Sequence, residues 1–259
     1  MTETSPTKTI LITGASSGLG AEMARQFAAL GHDLALCARR IERLEELRAE
    51  ITAAHPSTQV AIRALDVNDH DAVFEVFRSF RDEVAAEGRT IDRVVINAGI
   101  GKGAPLGTGR FDANVETAQT NFIAALAQTE AAMEIFRAQE RGHLVMISSV
   151  SAMRGMPKAM STYAATKAGV AHLAEGLRTE LHGKPGYQIS VIYPGFIISE
   201  MSDPSKKPGP LMASTEKGVR AIVAAIEKEK KSAAVPPWPW GPLSKVLKVA
   251  PLGVVRKMV

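Results

Sequence analysis

The chain alternates short apolar runs with stretches in which apolar residues recur every three or four positions. A run of four to six consecutive apolar residues is how a strand buried on both faces of a parallel sheet reads, and the three-to-four spacing marks one face of a helix. On this basis strands are expected at 9–13, 33–38, 60–65, 93–96, 143–148 and 188–193, with a short last strand at 233–236. A helix runs through Met23, Phe27, Ala28 and Leu30 and stops at Gly31, the residue type that most readily adopts the left-handed turn closing a helix. Further helices are expected at 41–54 on Leu44, Leu47 and Ile51, at 69–86 on Val73, Val76, Phe77 and Phe80, and at 112–139, 161–182 and 215–230.

Six strand–helix units with short connections predict an α/β fold: a single-domain Rossmann fold over 1–259, a doubly wound parallel sheet of about seven strands with helices on both faces. Residues 196–213, rich in proline, glycine and small polar residues, are expected to form a mobile substrate loop. The segment 237–259 is expected to be an amphipathic extension, with Leu243, Val246, Leu247 and Ala250 on one face and Lys245, Lys248, Arg256 and Lys257 around them. It begins Trp238-Pro239-Trp240. Packing against the body or a subunit contact is favoured for it over a membrane surface, because Pro251 limits the helix.

Composition removes several function classes. Among 259 residues, 46% are hydrophobic and the net charge is +4, with no basic stripe interleaved with aromatics, so nucleic acid is not an expected partner. The six histidines have no ligand-like spacing, and no metal site is expected. A single cysteine, Cys37, excludes an internal disulfide and reads as a small core residue. The longest charge-free run, 185–199, is too short to span a bilayer, and residues 1–8 lack a secretory pattern, so the chain is expected in the cytoplasm.

In an open parallel sheet, ligands bind beyond the carboxyl ends of the strands where the strand order reverses. The first strand ends in Thr13-Gly14-Ala15-Ser16-Ser17-Gly18-Leu19-Gly20, a glycine turn at a helix start, where free N–H groups attract phosphate. The second ends in Ala38 followed by Arg39 and Arg40, with no carboxylate to accept the ribose hydroxyls. Guanidinium groups suit a 2′-phosphate, which favours NADP(H) over NAD. The remaining strand ends supply Asp66-Val67, Asn97-Ala98-Gly99, Ser148-Ser149 and Pro194-Gly195. On the helix after the fifth strand, Tyr163 and Lys167 stand four residues apart on one face, so that an ammonium can stabilise a phenolate.

Taken in order, Thr13-Gly14-x3-Gly18-x-Gly20, Asp66, Asn97-Ala98-Gly99, Asn121, Ser149, Tyr163-x3-Lys167 and Pro194-Gly195 resemble the short-chain dehydrogenase/reductase family over roughly residues 8–235. The resemblance implies catalysis by Asn121, Ser149, Tyr163 and Lys167. Tyr163 would protonate the carbonyl oxygen, Lys167 would hold the nicotinamide ribose and lower the Tyr163 pKa, Ser149 would orient the carbonyl, and Asn121 would bind a relay water. Cofactor contacts are implied for Gly14, Ser16, Ser17, Gly18, Leu19, Gly20, Arg39, Arg40, Asp66, Val67, Asn97, Ala98, Gly99, Pro194, Gly195, Ile197 and Ser199. Ser16 and Ser17 would face the adenosine side and Leu19 the nicotinamide side. Ser148 and Ser151 lie near Ser149, so which serine orients the carbonyl stays open.

The expected activity is NADP(H)-dependent hydride transfer between nicotinamide and a carbonyl or secondary alcohol. The apolar Phe196, Ile197, Ile198, Met201, Leu211 and Met212 point to a hydrophobic ketone or aldehyde. A homodimer or homotetramer is expected. The alternatives are an NAD-dependent alcohol dehydrogenase and a non-catalytic nucleotide-binding protein of the same fold.

Overall fold

The computed structural model describes residues 7–101, 103–198, 209 and 211–258. Seven parallel strands form one sheet in the order β3-β2-β1-β4-β5-β6-β7. They are β1 (Thr9–Thr13), β2 (Asp33–Ala38), β3 (Val60–Ala64), β4 (Ile91–Ile96), β5 (Gly142–Ile147), β6 (Tyr187–Pro194) and β7 (Ser232–Val235). The order reverses between β1 and β4, so the connections that follow them leave to opposite faces of the sheet and open a crevice at the strand ends. Ile10, Leu11 and Ile12 of β1 are wholly inaccessible, because helices cover both faces of the sheet.

The helices are α1 (Gly18–Ala29), α2 (Ile41–Ala54), α3 (His70–Ala86), α4 (Phe111–Ala118), α5 (Ala124–Ala138), α6 (Met160–Glu180), α7 (Thr215–Glu227), α8 (Pro237–Val249) and α9 (Leu252–Met258). On one face, Phe77, Phe80 and Phe136 fill the layer beneath α3 and α5. On the other, Met23, Phe27, Ile222 and Ile226 pack beneath α1 and α7. Asp69 lies one residue before α3 and caps it, its carboxylate accepting from Ala72 N at 3.0 Å. Gly31 follows α1 at φ +81°, the left-handed turn its position predicts. Cys37 is fully buried in β2, and burial pushes its thiol up to about 12, an inert core group.

Two elements differ from the reading of the sequence. The helix expected at 112–139 is interrupted by a π-helical turn at Gln119–Ile123, which divides α4 from α5. The helical apolar period runs on through that turn, so nothing in the pattern marks it. The tail is two short helices, and its inward face is Trp240, Ser244, Leu247 and Ala250, while Val246, expected on the apolar face, points outward. Pro236 to Trp238 is extended before the helix proper, which rotates the buried stripe. Most of the expected substrate loop, with Ser199 and Met201, lies outside the described residues.

At the end of the sheet away from the crevice, Arg93 of β4 is completely buried. Its Nε donates to His143 Nδ1 at 3.0 Å, His143 Nε2 meets Ser190 Oγ at 2.8 Å, and its Nη1 hydrogen-bonds Glu227 of α7. Its guanidinium lies 5.6 Å from the Phe27 ring centroid. Burial together with the Arg93 charge brings His143 down to about 3, which keeps it neutral. Burial alone would raise Glu227, but the bond from His32 and the Arg93 charge outweigh it and bring the carboxyl down to about 2.

Candidate functional site

A cleft of about 430 Å³ opens at the carboxyl ends of the strands, between the β1–α1 turn on one side and α6 on the other. Its floor is built where the parallel strands β1 and β4 end side by side. Thr13 Oγ1 accepts from the N–H groups of both Asn97 and Ala98 at 3.1 Å, and Asn97 Nδ2 donates to Thr13 O at 2.9 Å. The Asn97 side chain therefore fastens the glycine turn to β4. A Cβ on Gly20 would lie 2.3 Å from Gly14 O, and one on Gly14, at φ +65°, would lie 2.9 Å from the Ala98 Cα. Neither position has room for a side chain, and the turn is held close against β4 with the α1 N-terminus facing the cleft.

Beside the turn, Arg40 donates to Ser17 Oγ at 2.8 Å and Ser16 Oγ at 3.4 Å. Arg39 also lines the cleft, is exposed, and has no hydrogen-bond partner among the described residues. Asp66 lines the wall with Val67; its carboxylate accepts from Asn68 N at 3.0 Å, a turn that fixes its direction. Gly18, Leu19, Gly99, Pro194, Gly195 and Ile197 all line the same cleft.

At the other end stand the titratable groups. Tyr163 and Lys167 lie one turn apart on α6, with the Lys167 Nζ 6.0 Å from the Tyr163 ring centroid. Nζ donates to Ile147 O at 3.0 Å, and burial brings the ammonium down to about 8. The Tyr163 hydroxyl is hydrogen-bonded to Ser149, yet burial outweighs that bond and raises the phenol above its ordinary value. A lowered Tyr163 pKa was expected from the lysine at i+4. Burial dominates because the ammonium is anchored on Ile147 O instead of against the phenol, so the phenol is held protonated.

The neighbouring serines take different parts. Ser148 Oγ, buried, donates to Lys167 O at 2.7 Å and ties α6 to the end of β5. Ser151 Oγ donates to Ser149 Oγ at 2.9 Å, turning the Ser149 hydroxyl toward the cleft edge where Tyr163 stands. Ser149→Ala is expected to lower kcat about 100-fold with little change in melting temperature, whereas Ser148→Ala is expected to act on melting temperature, each read by steady-state kinetics and thermal unfolding.

Asn121 sits inside the π-turn, buried, with its amide paired both ways to the Ile100 backbone: Oδ1 accepts from Ile100 N at 2.7 Å and Nδ2 donates to Ile100 O at 2.8 Å. The residue expected to bind a relay water thus uses one donor and one acceptor of its side chain to hold the Ile100 backbone. Asn114 repeats the device one step along, pairing with both backbone groups of Ala104 at 3.2 Å. Two asparagines, one on α4 and one in the π-turn that continues it, pin the loop after β4, and a Cβ on Gly99 would come within 3.0 Å of Asn121 Oδ1 and 3.4 Å of Lys167 Nζ. The sequence reading did not single out Asn114, Thr120 or Met160. Thr120 and Met160 line the cleft, and their helix positions look like ordinary surface without the topology.

Trp240, named from the sequence only as part of the tail, stands behind the cleft. A Cβ on Gly195 would lie 2.1 Å from its Nε1, and the indole stands edge-on to Phe196 with centroids 5.1 Å apart at 83°. The tail therefore backs the cleft wall at β6, with Arg154 Nη1 donating to Lys248 O at 3.0 Å to hold α8 in place.

A phosphate-ready turn at the switch point and a tyrosine–serine–lysine group at the other end of one cleft are features of nucleotide-binding oxidoreductases built on the Rossmann sheet. Comparison with known proteins agrees. The short chain dehydrogenase family model matches residues 8–208. The chain is 51% identical over 248 residues to an uncharacterized oxidoreductase of Mycobacterium tuberculosis, covering 96% of each. It is 32% identical over 244 residues to an uncharacterized oxidoreductase of Myxococcus xanthus, covering 94% of this chain and 93% of that one. A solved short-chain dehydrogenase from Sphingobium yanoikuyae in complex with NADPH superposes with a TM-score of 0.79 at 27% identity, over 96% of this chain and 95% of that one. The chain belongs to the short-chain dehydrogenase/reductase family and is an oxidoreductase of that family.

Proposed function

We propose that the protein is an NADP(H)-dependent oxidoreductase that interconverts a hydrophobic ketone or aldehyde and the corresponding alcohol, working as a single-domain unit over 1–259. The observation that carries this reading is the protonated Tyr163 phenol hydrogen-bonded to Ser149 beside a buried ammonium, at the end of a cleft whose other end is a glycine cradle. The cradle fits a dinucleotide, since Gly14 and Gly20 leave no space for a Cβ and the α1 N-terminus faces a pyrophosphate position. Gly14, Ser16, Ser17, Gly18, Leu19 and Gly20 would hold the pyrophosphate, Asp66 and Val67 the adenine, and Asn97, Ala98, Gly99, Pro194, Gly195 and Ile197 the nicotinamide half. When bound, the nicotinamide supplies or accepts the hydride.

In reduction, negative charge develops on the carbonyl oxygen. Ser149 donates a hydrogen bond to it and the Tyr163 O–H delivers its proton, leaving a phenolate. The Lys167 ammonium, one turn along α6, supplies the nearby positive charge that steadies that phenolate, and solvent returns the proton after turnover. Asn121 acts as a positioning residue: by fixing Ile100 it keeps the backbone at Gly99 clear of Lys167. Met160, Phe196 and Met212, with Trp240 behind them, form an apolar end to the cleft, which favours a hydrophobic carbonyl compound.

The NADP(H) preference rests on Arg39, the cleft-lining guanidinium without a hydrogen-bond partner among the described residues, while Arg40 is engaged with the two serines. A 2′-phosphate would give Arg39 a charge-assisted bond. Titration of Arg39→Ala should show NADPH affinity reduced about 10- to 100-fold with NADH affinity nearly unchanged. Equal losses for the two cofactors would overturn the preference.

A further inference from the structure

The outward face of the tail is not used by the site. Its inward residues are packed into the body, but Trp238, Val249 and Leu252 are 79, 81 and 72% exposed, and Val246 and Val254 are exposed as well. On α8, Val246 and Val249 lie on the side opposite the buried Trp240, Ser244 and Leu247, with Lys245 among them and Lys248 at the edge. From residue 230 to residue 259 the sequence holds five lysines and one arginine and no aspartate or glutamate.

An apolar surface this exposed marks a contact site. The charge decides between occupants. A second copy of this chain meeting the same face about a two-fold axis would bring lysine against lysine with no carboxylate in the segment to compensate. A surface of anionic headgroups over hydrocarbon complements both features: valine, leucine and tryptophan enter the interface while the lysine ammoniums stay at headgroup level. We propose that the outer face of α8 and α9 is a docking surface for anionic phospholipid, lying in the plane of the membrane interface. The body of the protein stays in water, and no described helix is long and apolar enough to cross a bilayer. The inner face of the same tail packs against the cleft wall through Trp240 and Phe196.

The test is co-sedimentation of the full chain with vesicles of phosphatidylcholine alone and of phosphatidylcholine mixed with phosphatidylglycerol, at low and high salt. Pelleting with the mixed vesicles at low salt, weakened by salt and absent with phosphatidylcholine alone, is expected. Trp238 should report a blue shift in tryptophan emission on binding, because the other tryptophan, Trp240, is already buried. Val249→Glu should abolish pelleting, and Lys245→Ala with Lys248→Ala should weaken it on the order of 30-fold, both with unchanged melting temperature. No pelleting by the wild-type chain, or equal pelleting by Val249→Glu, overturns the proposal. If the wild-type chain fails to pellet and Val249→Glu instead turns an oligomer into monomers in analytical ultracentrifugation, the occupant is a second copy of the chain.

Discussion

Tyr163→Phe is expected to reduce kcat by about 10³-fold or more while leaving NADPH affinity nearly intact, measured by stopped-flow hydride transfer and by fluorescence titration of the cofactor. The substitution removes one oxygen. The ring keeps its packing, Lys167 keeps its bond to Ile147 O, and the glycine cradle is far enough away to be untouched. What disappears is the proton that the proposed reaction sends to the carbonyl oxygen, together with one of the partners of Ser149. An unchanged kcat would mean that the proton comes from elsewhere, and the proposed assignment of the site would fall with it. The pH dependence should follow the same groups. With Lys167 brought down to about 8, the ammonium is present below that value and lost above it, so reductive turnover should decline as pH rises through 8. Lys167→Met should remove that limb of the profile along with most of the activity.

The second large effect concerns stability. Arg93→Ala is expected to cost about 3 kcal/mol, seen as a fall of roughly 6–12 °C in melting temperature, because it strips the buried partner from Glu227 and His143 and leaves a void over Phe27. Arg93→Ala combined with Glu227→Gln should recover part of the loss, since the carboxylate no longer lacks a counter-charge. The same cluster sets an acid limit. His143 has its folded pKa brought from 6.5 to about 3, so the folded chain binds fewer protons there than the unfolded one; this stability is complete above 6.5 and is lost as pH falls toward 3. Glu227, brought from 4.5 to about 2, acts in the same direction, with its contribution complete above 4.5 and lost toward 2. Urea midpoints that stay flat between pH 6 and 4 would show that the cluster does not carry this role.

Much of the architecture is legible in the sequence for one physical reason: strands covered on both faces must be apolar throughout, as Ile10-Leu11-Ile12 and Leu144-Val145-Met146 are. The strand ends follow, and with them the convergence of Gly14, Asn97, Ser149 and Gly195 on one cleft. Several functional details are not legible because they depend on where side chains meet. The amide of Asn97 is bound back to the glycine turn, the amide of Asn121 to the next loop, and Arg40 to the two serines, and none of these pairings leaves a periodic trace. The π-turn is hidden because alanine-rich helix sequence continues across it. The tail's amphipathic pattern is visible, but its rotation is set by the extended Pro236 to Trp238 segment, so Val246 was assigned to the wrong face.

Gly195 and Trp240 occupy one shared volume, since the side chain absent from the first is the space filled by the indole of the second. Neither residue can then drift alone. A methyl group at 195 demands a smaller ring at 240, and a smaller ring at 240 leaves Phe196 without its edge-on neighbour and the cleft wall free to move. Through the descent of such chains the two positions should therefore change as a couplet, and the shape of the cleft wall becomes heritable from a residue that lies beyond the sheet itself.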